Sequence, residues 1–394
     1  MGWLRTRDSE SSVTNIELFF DLIFVFAVTQ VSHHLLGDEH PTWGSAGQSA
    51  LLLAMLWTAW VYTTWITNWL DPDRDPLRFM LIGSMMCSLV VAAAIPHAFD
   101  KWGHVVGIAY AVMHIGRAAV AVALLRGEAL QANYIRILTW CTLTGCLAVI
   151  GGFADGWWRI GLWTAAVVID FLGGVVGFYV PFLGRSTSQG DWVTIDGHHF
   201  AERCQAFVLI ALGESIVITG SSLATDLDEG HLDFSVVGAF GLTFVGAAAL
   251  WWLYFDRAGE QGSRVAATTD DPGRISTVAY HWIHPIIVAG IIVTAAADEL
   301  VFHEPTAQGV PAATWTILGG TALFITGHAL YLGIVRGRIP VGHLVALVGV
   351  GVLAVVSSWV SVLTLAALVA AVVVGLCLWD RRVVNTSATP HLVL

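Results

Sequence analysis

Apolar runs of about 20 residues recur from one end of the chain to the other with short polar connections between them, the spacing of α-helices that cross a bilayer. Of the 394 residues 56% are hydrophobic and only 12% charged, with a mean hydropathy of +0.72. A water-soluble domain would leave too much apolar surface wet, so the chain reads as an all-α polytopic membrane protein. Twelve spans can be cut, at residues 14–36, 47–69, 78–98, 103–125, 134–153, 158–182, 200–222, 235–255, 276–297, 313–334, 340–359 and 362–380. The last two are separated only around Trp359 to Val362, so they form either a tight hairpin or one broken element, which would make eleven. The polar start, with Arg5, Arg7, Asp8 and Glu10, and the absence of a small-residue cleavage site after the first apolar run predict an uncleaved first span.

Charge placement orients the spans. With the N-terminus cytoplasmic, all of the 18 Lys and Arg residues except Lys101 and Arg159 fall on the inner side or in the inner halves of spans. Shifting the frame by one span would exile half of the arginines, so twelve spans with both termini inside satisfy the positive-inside rule. The net charge of −11 owes much to the outer connections, which carry Asp38, Glu39, Asp100, Asp155, Asp226, Asp228, Glu229, Asp233, Asp298, Glu299 and Glu304. Such an acidic face either gathers cations near an entrance or merely reflects the avoidance of arginine in translocated loops. The cysteines Cys87, Cys141, Cys146, Cys204 and Cys377 all lie in or at the start of apolar runs and form no CxxC pair, which argues against disulfide stapling.

Three weak matches recur six spans apart in the same order. Glu17 to Phe24 faces Glu202 to Leu209, each opening with an inner-side glutamate; the Ala92-Ala93-Ala94 run faces Ala295-Ala296-Ala297; and Gly116-Arg117-Ala118 faces Gly327-His328-Ala329. Together they predict two parallel six-helix repeats, residues 1–190 and 191–394.

Ionisable groups inside spans mark functional candidates. Glu17 and Asp21 are four residues apart, about 6 Å along one helical face. They suit a proton or cation relay, or an ion pair for which Arg203 and Arg117 are available partners. Span seven carries Glu202 near its inner end and Glu214 about 18 Å further on. Glu214 has no basic residue within a turn and is followed by Ser215, Thr219, Gly220, Ser221 and Ser222, a small and polar stretch suited to hydration or close packing. Asp170, in the middle of span six, is the most isolated acid and demands a partner. His281 and His284, spaced i, i+3, could share a face as a proton relay or, with Asp21 or Glu17, as metal ligands; a lone histidine is more often simply hydrogen-bonded, and no metal site is predicted. His33, His34, Asp38, Glu39 and His40 form an outer cluster that reads as solvated surface. Most tryptophans, including Trp65, Trp69, Trp157 and Trp158, suit interfacial belts, while Trp57, Trp60 and Tyr62 lie deeper, in core packing or against a cavity. No P-loop, Rossmann glycine pattern, HExxH helix or serine elbow is visible, so no cofactor or nucleic-acid contact is expected and no catalytic residue is identified.

The segments Glu17-Leu18-Phe19-Phe20-Asp21-Leu22-Ile23-Phe24-Val25-Phe26-Ala27, Glu202-Arg203 and Leu212-Gly213-Glu214-Ser215-Ile216 resemble the bacterial low-temperature-requirement A family, and the resemblance covers nearly the whole chain. It implies a multi-pass protein of the bacterial inner membrane, of a family named for a cold-growth phenotype. A looser likeness is to potassium channels of two six-helix repeats whose first helix carries Phe-Ser-x-x-x-Asp. Here Phe19-Phe20-Asp21 lacks that serine and span seven lacks the aspartate, so this likeness is one of architecture.

The leading expectation is a proton-coupled or cation-handling transporter or channel, with Glu17, Asp21, Glu202 and Glu214 at the interface of the halves, Arg203 beside them, and Asp170 as a further buried acid. Its expected partners are the bilayer and a proton or small cation. The alternatives are a membrane-embedded enzyme acting on a lipid or isoprenoid, and a structural or regulatory membrane protein whose acids are all tightly paired.

Overall fold

The first helix, α1 (Asn15–Leu36), is sorted inside out for a protein in water: Glu17, Phe20, Asp21 and Phe24 are buried, whereas Leu18, Phe19 and Leu22 are exposed. Apolar side chains on the outside and charges within suit a helix whose surroundings are lipid. The same reversal recurs along the computed structural model, which describes residues 3–5, 13–37, 41–186, 195–230, 233–256 and 258–387. Arg7, Asp8, Glu10, Asp38, Glu39, His40 and Arg257 lie outside the described residues.

After α1 come α2 (Trp43–Trp69), α3 (Asp75–Ala94), α4 (Gly103–Leu124), α5 (Gln131–Phe153), α6 (Gly156–Val175), α7 (Gly197–Asp228), α8 (Phe234–Phe255), α9 (Ala258–Thr268), α10 (Pro272–His303), α11 (Pro311–Arg336), α12 (Val341–Val356) and α13 (Val362–Ser387). Among the described residues there are no strands, only isolated bridges. Among the described residues twelve helical segments are long and apolar enough to cross a membrane. The last two are separate helices: Val360 is extended, and Val362 and Leu363 donate their N–H groups to the carbonyls of Ala307 and Pro305. Span six is shorter than its apolar run, because the chain reverses after Val175: Phe178 N–H returns to the Gly173 carbonyl at 2.7 Å, and Gly177 and Phe178 take positive φ.

The helices divide into two compact units, residues 1–210 with 263–285, and residues 211–262 with 286–394. In the first, α2 is the central element: 89% of its most apolar window is buried. Its threonines stay satisfied within the helix, Thr58, Thr63 and Thr64 donating to the carbonyls of Met55, Ala59 and Trp60. Its tryptophans Trp57, Trp60, Trp65 and Trp69 are buried rather than interfacial, while Trp157 and Trp158 at the start of α6 are exposed, as an interfacial belt requires. Helices α4 and α5 cross closely because Gly107 and Gly152 present no Cβ to the backbones of Ala148 and Gly103. Arg159 is buried and caps chain ends there, donating to the carbonyls of Ala98 and Asp100 at 3.1 and 2.9 Å. In the connection between α3 and α4, the exposed Asp100 carboxyl is held below the usual carboxylate range by the Lys101 backbone N–H and by His97.

In the second unit α10 crosses α11 at Gly290, Gly320 and Gly327. A Cβ on Gly290 would strike the Phe324 backbone, and one on Gly320 would stand 2.7 Å from Thr294 N. His328 and His343 pair at 2.8 Å, with Asp380 Oδ2 4.0 Å from His343 Nδ1. The Cys377 thiol reaches the Ala249 carbonyl, tying α13 to α8.

Candidate functional site

Within the first unit the acids of α1 meet the opening turns of α7. Glu17 sits at the third helical position, where its carboxylate accepts from the Thr14 N–H and hydroxyl at 2.9 Å. One turn on, Asp21 points the same way. Arg203 spans both, with Nε and Nη2 donating to Asp21 at 3.0 and 2.6 Å and Nη1 donating to Glu17 at 3.0 Å. Trp60 Nε1 adds a 2.7 Å bond to Asp21. His199, one turn before Arg203, places Nε2 3.0 Å from Glu17 Oε1 and 2.9 Å from Arg5 Nη1, so that nitrogen serves one as donor or the other as acceptor. Arg5 also stands 3.7 Å from Glu17. Two arginines therefore balance two carboxylates, the arrangement of the ion-pair alternative. It ties the N-terminal segment, α1, α2 and α7 together.

A second buried cluster lies along α2, α4 and α6. Tyr110 donates to Asp170 Oδ2 at 2.7 Å, Thr58 lies 2.9 Å from the same hydroxyl, and Tyr62 donates to the Asp170 carbonyl at 2.9 Å. His114 stacks on Tyr110 and accepts from Arg117 Nη2 at 3.0 Å. Arg117 further donates to Thr63 at 3.2 Å and to the Ala59 carbonyl. Beside it is a cavity of about 210 Å³, walled by Tyr62, Trp65, Trp69, Tyr134, Phe178 and Trp282.

In the second unit Asp298 of α10 is buried and lines a cavity of about 50 Å³ with Thr243, Thr294 and Thr321. Ser215 of α7 is a polar neighbour of it, with a buried hydroxyl that makes no other hydrogen bond. Among the described residues no Lys, Arg or His pairs with it.

The candidates read from sequence are thus distributed. Glu17, Asp21 and Arg203 are brought together, and Asp170 finds Tyr110. Glu202 is apart from them, half-buried beside His198 at 3.7 Å. Glu214 is buried in the second unit, next to Ser215. His281 and His284 do not share a face, because residues 276–283 form a π-helix whose wider turn rotates them apart. The His281 ring accepts from Trp65 at 3.4 Å and lines the larger cavity, whereas His284 turns to the Ala279 carbonyl at 2.8 Å. Among the described residues no three His, Cys, Asp or Glu side chains gather as a metal site. Of the outer cluster, His34 lies 3.2 Å from Gln48, and Asp38, Glu39 and His40 are outside the described residues.

Sequence reasoning passed over His199, placed Trp60 in the core without its acid partner, and put Asp298 in an outer connection. The first shares the face of Arg203 at i−4, and Asp298 is followed by the apolar Leu300, Val301 and Phe302. Those residues signal that the helix continues, as it does to His303, and that Asp298 lies within it rather than in an outer connection.

Inverted helices with charges turned inward define a multi-pass helical membrane protein. Residues 12–378 match the family described as Bacterial low temperature requirement A protein (LtrA), and the chain belongs to that family. An uncharacterized protein of Rhizobium meliloti (strain 1021) is 32% identical over 345 residues, covering 86% of this chain and 82% of the relative. No solved structure matches the chain.

Proposed function

We propose that the protein handles protons or small monovalent cations across the bacterial inner membrane, with Asp298 as the protonatable or cation-binding group. The observation that carries this reading is a buried carboxylate, without a basic partner among the described residues, lining a hydroxyl-rich cavity. A carboxylate in such surroundings is stable only when protonated, hydrated or holding a cation. Thr243 and Thr321 stand about 14–15 Å along α8 and α11 from their starts, near the middle of a hydrocarbon layer of about 30 Å. The Arg5–Glu17–Asp21–Arg203 network supports a structural role instead, since its two positive and two negative charges cancel. The arginine distribution supports cytoplasmic termini, and the matches between spans support a duplicated six-helix unit.

The test is flux in proteoliposomes loaded with a pH-sensitive or cation-sensitive dye. Asp298→Asn abolishes flux, Asp298→Glu retains part of it, and Glu214→Gln lowers it while the protein remains folded. Undiminished flux with Asp298→Asn overturns the assignment.

A further inference from the structure

We propose that the cavity of the first unit is a binding site for an organic anion with one negative head and an apolar body, held by Arg117. The proposal goes beyond the Asp298 reading and concerns a different site. Its first support is a contrast between two buried arginines. Arg203 spends its donors on two carboxylates, whereas every hydrogen-bond acceptor of Arg117 is neutral: the Ala59 carbonyl, the Thr63 hydroxyl and the His114 ring. Among the described residues no carboxylate lies within ion-pair distance of Arg117; Asp170, 3.9 Å from His114 Nδ1, attracts the guanidinium only over a longer range. Because that nitrogen accepts from Arg117, it carries no proton to offer Asp170, and the imidazole does not relay the charge. A guanidinium is charged at any ordinary pH, so one buried in the wall of an apolar cavity calls for an anion.

The lining supplies further donors. Tyr134 Oη and His281 Nε2 are both buried with no hydrogen-bond partner, and both residues line the same cavity as Arg117. Beside these polar groups, Trp65, Trp69, Trp282 and Phe178 give the cavity its apolar walls. At about 210 Å³ it accepts a ligand of several heavy atoms rather than a single ion. Exposed Asp271 and Arg274 stand on its rim. Two backbone irregularities shape it: the π-helix that carries Thr277, Val278 and His281, and Phe178 at φ 47°, a conformation a bulky residue rarely takes. Such irregularities concentrate at ligand sites.

Trp65, Trp69 and Trp282 make the test optical. The full chain in neutral detergent is titrated with benzoate, oleate and short-chain phosphatidylglycerol. Each is set against its uncharged or zwitterionic counterpart: benzyl alcohol, oleyl alcohol and short-chain phosphatidylcholine. Tryptophan fluorescence reads binding. At least one anion binds ten-fold or more tighter than its counterpart, and Arg117→Gln removes that preference. Because Arg117→Gln also strips bonds from the core, Tyr134→Phe and the cavity-filling Ile137→Trp provide independent arms, and both weaken the anion several-fold. Binding of benzoate alone identifies a free solute, and binding of oleate or phosphatidylglycerol alone identifies a lipid; either supports the site. Equal binding of charged and uncharged probes, no binding of any probe, or unchanged binding in both Tyr134→Phe and Ile137→Trp overturns it.

Discussion

Arg203 grips Asp21 with two parallel hydrogen bonds, Nε to Oδ2 at 3.0 Å and Nη2 to Oδ1 at 2.6 Å, and both side chains are buried. A bidentate pair of this kind is strong and geometrically specific. Removing one member strands the other charge in the core at a cost of about 3–5 kcal/mol, whereas replacing the whole set with apolar or neutral groups costs far less. Arg203→Met alone therefore lowers the melting temperature in detergent sharply. Asp21→Asn introduced together with Arg203→Met removes one charge of each sign, leaves Glu17 with Arg5, and recovers most of that loss. Equal melting temperatures for the single and double variants would show that the network carries no such energy.

Trp60 donates a 2.7 Å bond to the same aspartate, and a hydrogen bond to a charged group contributes about 1.5–3 kcal/mol. Trp60→Phe keeps most of the ring but loses the N–H, so its destabilisation falls near that range and vanishes in the Asp21→Asn background. A double-mutant cycle on thermal or denaturant unfolding reads the coupling.

Carboxyls that are protonated in an apolar setting react with hydrophobic carbodiimides, and ion-paired carboxylates do not. The difference between Asp298, among threonines, and Asp21, under Arg203, predicts selective modification. Mass spectrometry of carbodiimide-treated membranes finds the adduct on the peptide containing Asp298, with none on Glu17 or Asp21. Labelling of Asp21 at a comparable rate would contradict the closed ion pair.

The number of helices was legible because apolar run length and arginine alternation are local properties of the chain, and the twelve candidate spans follow them. Span six misled because Val176, Phe178, Tyr179 and Phe182 continue the hydropathy through and beyond the turn that Gly177 allows. The pairing of Glu17 and Asp21 was legible as a choice between two arginines. It was settled by which one lay across from α1, a question of tertiary neighbours. His281 and His284 were read with a period of 3.6 residues, and a π-helix is invisible to that pattern because it arises from packing. Asp298 was hidden by its neighbour Glu299, since two adjacent acids after an alanine run resemble the end of a span.

The crossing of α10 and α11 gives a prediction with an internal control. Gly290, Gly320 and Gly319 are all helical glycines, yet a Cβ at Gly290 would meet the Phe324 backbone and one at Gly320 the Thr294 backbone, while one at Gly319 would meet nothing within 4 Å. Helices in lipid associate through such close backbone contact, because no hydrophobic driving force separates tail from side chain. Backbone cannot step aside as a flexible side chain can, so Gly290→Ala and Gly320→Ala each force the helices apart and destabilise by about 1–3 kcal/mol. Gly319→Ala is neutral or slightly stabilising, since alanine restricts the unfolded chain and favours helix. Thr294 and Thr321 border both the crossing and the Asp298 cavity, so Gly320→Ala also reduces flux in proteoliposomes whereas Gly319→Ala leaves it intact. Melting temperature and flux measured on the same preparations decide the matter, and a Gly319→Ala defect as large as that of Gly320→Ala would remove the crossing as its cause.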